Sequence, residues 1–196
     1  MSTVTPTLAL PPGDRELPAR ALVLGHLAAG AAGFALIGAL CGAYLALRAG
    51  SAEWLPDEFE VDGFLGVMLT LTAFMSAPFA FWAVIADGRG LRRQASTALS
   101  LTAFIGLCLL NGVWYLGTQL ELGATSSAYA TVNYALLGAI GAFLASALIA
   151  LFVALAKVGG RQTGPGHVGL VQGAAWLWMV ALAGWIAVWS TLFLVK

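Results

Sequence analysis

Charged residues are scarce in this sequence, and their scarcity argues against a soluble fold. Asp, Glu, Lys and Arg make up only 9% of the 196 residues, and hydrophobic residues make up 60%. Soluble proteins are roughly 25% charged, and even a domain of about 150 residues leaves roughly 30% of its surface in water. This chain has too few polar side chains to cover such a surface. The composition therefore predicts that lipid surrounds most of the protein.

Cysteine and histidine are almost absent, which limits the chemistry that the chain can carry. Cys41 and Cys108 both fall inside apolar runs and are interpreted as small core residues, because disulfide and metal frameworks need clustered thiols. His26 and His167 lie in separate regions and cannot form a haem or copper site together. The net charge is zero, so nothing indicates a nucleic-acid partner. We predict no catalytic residue, no cofactor and no metal in this chain.

Charges are also missing from the middle of the apolar runs, where pumps and ion-coupled carriers place their functional groups. The amides at depth, Asn111 and Asn133, are interpreted as donors or acceptors of interhelical hydrogen bonds. Pro78 lies within an apolar run and is expected to kink a helix there.

Five apolar runs are long enough to cross about 30 Å of hydrocarbon, which takes about 20 helical residues. They predict transmembrane helices over Ala21–Leu47, Phe64–Ala86, Ala95–Gly117, Tyr129–Ala156 and Val168–Val195. Only short polar segments separate these runs, so no soluble domain is expected between them. Residues 1–20 are interpreted as a polar lead-in without the pattern of a cleaved signal peptide. The predicted fold class is an all-α integral membrane protein, with a five-helix bundle over residues 21–196.

Basic residues predict the orientation of this bundle. Seven of the nine Lys and Arg residues precede the first run or lie in the second and fourth connections, whereas six of the nine acidic residues lie on the other side. Because basic loops remain in the cytoplasm, we expect a cytoplasmic N-terminus and an external C-terminus, in a bacterial inner membrane. Arg92 and Arg93 are expected to lie at lipid headgroup phosphates on the cytoplasmic surface.

Small residues predict the close-packed faces of the helices. The spacing Gly38-x-x-x-Gly42 lets helix backbones approach closely in lipid. Such faces serve either internal packing or docking onto another membrane subunit, and the sequence leaves both open. The residues assigned to these faces are Gly30, Gly33, Gly38, Gly42, Gly138, Gly141, Trp178 and Trp185. At Gly33 we expect alanine to be tolerated and leucine to weaken association.

Several short sequence motifs lie at or near the ends of the apolar runs. Ala43-Tyr44-x-x-x-Arg48-Ala49 and Trp54-x-Pro56 follow the first run, and Gly90-Leu91-Arg92-Arg93 precedes the third. The fourth run opens with Ser127-Ala128-Tyr129-x-Thr131-Val132-x-Tyr134 and continues to Gly138-x-x-Gly141, and the last run carries Trp178 and Trp185-Ile186. In these features the sequence resembles subunit III of haem–copper cytochrome c oxidases, in its short five-helix bacterial form.

The polar residues of that family are replaced here. The family's first-helix Glu corresponds to Gly33 and its Glu-Tyr pair in the third helix to Val113-Trp114. Two family histidines of the fourth helix correspond to Ile140 and Phe143, and the His and Asp of the last helix to Met179 and Leu182. The resemblance therefore implies the helical fold of that family without the Glu, His and Asp residues at these positions.

What the resemblance implies is a non-catalytic accessory subunit of a respiratory oxidase. Such a subunit packs on the catalytic subunit I, stabilises it and holds phospholipid, and the haem and copper belong to that partner. An alternative is a structural or assembly subunit of a nitric oxide reductase or of another membrane complex. A free-standing transporter is a further alternative, although the sequence shows no inverted repeat.

Overall fold

The computed structural model describes residues 19–51, 54, 63–120, 123–160 and 167–195, and this part of the chain is helical without any strand. The elements are α1 (Ala19–Gly50), α2 (Gly63–Gly88), α3 (Arg92–Thr118), α4 (Ala128–Gly159) and α5 (His167–Trp189), with a π-helical turn over Ser190–Leu194. Five helices are long and apolar enough to cross a membrane, which confirms that part of the prediction.

At each end the helices extend beyond the predicted bounds by one to three residues. The exception is the end of the last span: with its π-helical turn included, it stops at Leu194, one residue before the predicted end. The polar lead-in before Ala19 lies outside the described residues, as does the side chain of His167. The same is true of the acidic residues on which the orientation depends: Glu53, Asp57, Glu58, Glu60, Asp62 and Glu121.

The connection between α2 and α3 is a tight turn that ends α2 through backbone hydrogen bonds. The N–H of Leu91 donates to the carbonyl of Ala86 at 2.8 Å, and that of Gly90 donates to Asp87 at 2.9 Å. This is the hydrogen-bond pattern of a Schellman motif, whose penultimate residue adopts a left-handed conformation. Gly90 has φ +72°, where a side chain would be strained. Nearer its middle, α2 remains helical through Pro78.

Four of the helices form a ring, and the remaining one packs on its outside. Helix α2 packs on α3, α3 on α4, α4 on α5, and α5 closes the ring against α2. Helix α1 packs mainly on α5 and secondarily on α4, rather than on its sequence neighbour α2. Helices α4 and α5 each contact three other helices, and α5 has the largest buried share of the five spans, which makes it the central helix.

The core combines small side chains on α2 with large side chains on α4 and α5. The buried positions of α2 include Ala73, Ser76, Ala80, Ala83 and Ala86. Large buried residues come from the facing helices and include Leu136, Ile140, Leu144, Trp178 and Trp185. Helices associate in lipid through such close packing, because apolar side chains gain little by leaving a hydrocarbon solvent.

Large apolar side chains also cover much of the outer surface. Phe64 is 72% exposed, Phe104 66% and Ile149 65%. An apolar surface this extensive would be a liability in water, but it matches the hydrocarbon of a membrane. The chain therefore has the surface of a multi-pass membrane protein.

Candidate functional site

Trp178 and Trp185, assigned from the sequence to a packing or docking face, both lie inside the bundle with 0% exposure. The indole N–H of Trp178 donates to the hydroxyl of Ser76 at 3.0 Å, and that of Trp185 donates to Thr70 at 3.2 Å. The two bonds join α5 to α2, and the order of their residues shows that these helices are antiparallel. These tryptophans therefore serve internal packing and are not available to a partner.

The two hydroxyls that accept these indoles were not singled out from the sequence. Each also donates to a carbonyl of its own helix: Ser76 to Ala73 at 2.7 Å, and Thr70 to Gly66 at 2.9 Å. The tryptophans themselves indicate that such acceptors exist, because a buried indole N–H usually finds an acceptor and hydrocarbon supplies none. The sequence does not show which helix carries the acceptors, because it does not show that α2 packs against α5.

Gly30 and Gly33 lie at internal contacts of α1. A Cβ atom at Gly30 would meet Val180 at 3.4 Å and Leu177 at 3.5 Å, both on α5. A Cβ atom at Gly33 would lie 2.6 Å from the ring of Phe143 on α4. The structure therefore changes the expectation that alanine is tolerated at Gly33, because the added methyl group would require the phenylalanine ring to move.

The other four assigned glycines make no close contact with another helix. A Cβ atom at Gly38, Gly42, Gly138 or Gly141 would meet nothing within 4 Å. Gly38 and Gly42 lie on the exposed side of α1. Gly138 and Gly141 lie in a groove between α3 and α4.

This α3–α4 groove is an open cavity of about 1230 Å³. It is bounded on α3 by residues from Leu107 to Thr118 and on α4 by residues from Tyr134 to Ala145. Its lining is mainly apolar, with Cys108 and Asn111 on the α3 side. Cys108 is exposed, so its interpretation as a core residue is wrong, whereas Cys41 is half-buried against the core.

The two amides at depth differ from the sequence interpretation. Asn133 is buried, and its side chain donates to the carbonyl of Tyr129 at 3.1 Å, one turn away on the same helix. Asn111 is exposed in the α3–α4 groove, and within the described residues its side chain makes no hydrogen bond. The structure therefore shows no interhelical bond from either side-chain amide within the described part of the chain.

Three aromatic residues meet at the end of the bundle opposite the α2–α3 turn. The rings of Tyr44 and Trp54 lie edge to face with centroids 5.1 Å apart, and those of Trp54 and Tyr129 with centroids 5.6 Å apart. The indole N–H of Trp54 also donates to the Tyr44 hydroxyl at 3.2 Å. Next to them, the Ser127 hydroxyl accepts from the N–H of Ala130 and caps α4. The aromatic cluster thus ties the end of α1 to the start of α4.

The predicted lipid-headgroup residues and His26 lie toward the α2–α3 end of the bundle. Arg92 is half-buried and Arg93 exposed in the first turn of α3. Nδ1 of His26 lies 2.8 Å from the carbonyl of Leu22 on the same helix. In the described ranges, no group of three or more His, Cys, Asp or Glu side chains is placed to hold a metal ion.

These features define, over the described residues, an all-helical bundle of the multi-pass membrane class with an apolar groove open on its side. The sequence matches no protein-family model and no curated protein.

Proposed function

We propose that this chain is a non-catalytic accessory subunit of a respiratory haem–copper oxidase, similar to subunit III of cytochrome c oxidase. It would pack on the catalytic subunit within the bacterial inner membrane and hold phospholipid at its surface. Haem and copper would reside in the partner.

The observation that carries the proposal is a contact between two positions at which this chain departs from the family. The family's first-helix Glu corresponds to Gly33 and one of its fourth-helix histidines to Phe143. The Phe143 ring occupies the space that a side chain at Gly33 would need. Two positions so distant in sequence would not be expected to meet if the correspondence were accidental. The meeting of these two positions in the structure supports a shared scaffold.

The aromatic cluster supports the same scaffold independently. Tyr44, Trp54 and Tyr129 belong to three separate motifs of the resemblance, and they meet at one point in the structure. Motifs that carry a resemblance are expected to converge when they maintain a common fold.

A test of the proposed function is to purify the native complex under gentle conditions. We expect a haem-containing membrane subunit to copurify with this chain, and we expect the isolated chain to show no Soret band. Deleting the gene should reduce the yield or the lifetime of the oxidase under turnover while leaving the haem spectrum of the remaining enzyme intact.

Two results would contradict the accessory role. One is the immediate loss of electron transfer in a fully haem-loaded complex that lacks only this chain. The other is a complete native complex without any haem. The alternative of a nitric oxide reductase subunit would be recognised by nitric oxide reduction in the copurified complex.

The orientation that we propose places Arg89, Arg92 and Arg93 on the cytoplasmic surface. Cations in the first turn of a helix interact unfavourably with its dipole, and lipid phosphates would compensate the charges of Arg92 and Arg93. The cytoplasmic leaflet supplies such anionic groups.

Single cysteines test this orientation in a variant whose native cysteines are replaced by alanine. An impermeant maleimide should label Ser126→Cys in cells whose outer membrane has been permeabilised, but Arg89→Cys only after lysis. Both positions are exposed, at opposite ends of the bundle. Labelling of position 89 before lysis would reverse the orientation.

A further inference from the structure

We propose that the α3–α4 groove receives one transmembrane helix of a partner subunit, and that this helix presents a polar side chain to Asn111. The inference rests on the proposed function and adds to it the surface and the chemistry of the contact.

The length of the groove allows a helix to lie along it. Its walls run from Leu107 to Thr118 and from Tyr134 to Ala145, a length of roughly 16 Å at 1.5 Å per residue. This length corresponds to about three turns of an α-helix.

The α4 wall of the groove allows close approach. Gly138, Gly141 and Ala145 follow one another at helical spacing, and a Cβ atom at either glycine would meet nothing within 4 Å. Helices in membranes associate through small residues of this kind. Gly38 and Gly42 on α1 are open in the same way. The α3–α4 groove differs from that face because it also holds the side-chain amide of Asn111.

Asn111 distinguishes a protein partner from a lipid chain. Its amide is exposed in the groove and makes no hydrogen bond within the described part of the chain. Hydrocarbon can supply neither a donor nor an acceptor, so an unpaired amide costs several kcal/mol there. An acyl chain would leave that cost in place. A helix carrying Ser, Thr, Asn, Gln or His at the facing position would remove it.

The groove proposal is tested by substitution in the native complex. Gly141→Leu places a large side chain inside the groove, and Gly25→Leu places the same side chain at an open glycine of α1 that is not assigned to a docking face. We expect Gly141→Leu to reduce partner retention at least tenfold and Gly25→Leu to leave it unchanged. Asn111→Leu should reduce retention about threefold to thirtyfold, because an interhelical hydrogen bond in a membrane contributes about 0.6–2 kcal/mol. Thermal unfolding of each isolated variant should match the wild type, which separates docking from folding.

A photo-crosslinking amino acid at Ala142, inside the groove, identifies what occupies it. We expect an adduct with a transmembrane segment of the partner from position 142 and none from position 25. An adduct with phospholipid alone, or with a second copy of this chain, would overturn the proposal. Full retention of the partner by Gly141→Leu would overturn it as well and leave the accessory function standing. If the wild-type chain retains no partner at all, the proposed function fails and the groove proposal falls with it.

Discussion

Replacing Trp178 with alanine should lower the free energy of unfolding by about 3 kcal/mol, at the lower end of the range for large aromatic truncations in protein cores. Trp178 is fully buried, and its ring lies against Gly106 of α3. In lipid, moving the indole out of the core recovers little transfer free energy, so the loss comes mainly from the cavity and its missing dispersion contacts. Removing the indole also leaves the Ser76 hydroxyl without its donor.

Reversible unfolding in mixed detergent micelles measures this change. Trp178→Phe should cost less, because the phenyl ring retains part of the packing and loses only the hydrogen bond and the outer ring. Trp114→Ala is the matched control, since Trp114 is 75% exposed and its removal opens no cavity in the core. Equal losses at positions 178 and 114 would show that Trp178 is not the packing centre that the structure indicates.

Replacing Gly106 with leucine should be as damaging, by overpacking rather than by cavity formation. A Cβ atom at this position would lie 2.7 Å from Leu148 on α4 and 2.7 Å from the Trp178 ring on α5. Three further carbon atoms have no space unless α3 moves away from both helices. We expect a loss of about 3 kcal/mol or more, at or beyond the upper end of typical overpacking costs.

The yield of folded, monodisperse protein and its unfolding midpoint report this effect. Gly38→Leu is the control, because it adds the same side chain to a helix at a position with nothing within 4 Å. Similar behaviour of the two variants would mean that α3, α4 and α5 are not in contact at Gly106.

The existence of the helices follows from sequence, but which way each one faces does not. Each run is long and apolar enough to be recognised by itself. In water, the apolar stripe of a helix reveals its buried face. In lipid the outside is apolar as well: Phe104 is 66% exposed and Leu109 0% exposed on the same helix. For this reason the sequence did not show whether Trp178 and Trp185 serve internal packing or docking onto a partner.

The glycines show the same limit at the level of single residues. Gly33 and Gly38 lie on one helix in similar sequence surroundings, yet only Gly33 meets another side chain, that of Phe143. The distinction depends on α4 lying beside α1, which is a tertiary contact between segments more than 100 residues apart. The helix ends also differ from the predicted bounds by a few residues. The end of α2 shows the reason: it is set by the turn in which Gly90 adopts a left-handed backbone conformation, and not by the point at which hydropathy falls.

The central position of α5 has a consequence for biosynthesis. The ribosome makes α1 before the other described helices, but α1 packs mainly on α5, which is made after them. During translation α1 must therefore reside in the membrane without its main neighbour, while α2, α3 and α4 are inserted. We therefore expect the bundle to close only when α5 is inserted and the indoles of Trp178 and Trp185 reach their hydroxyl partners on α2.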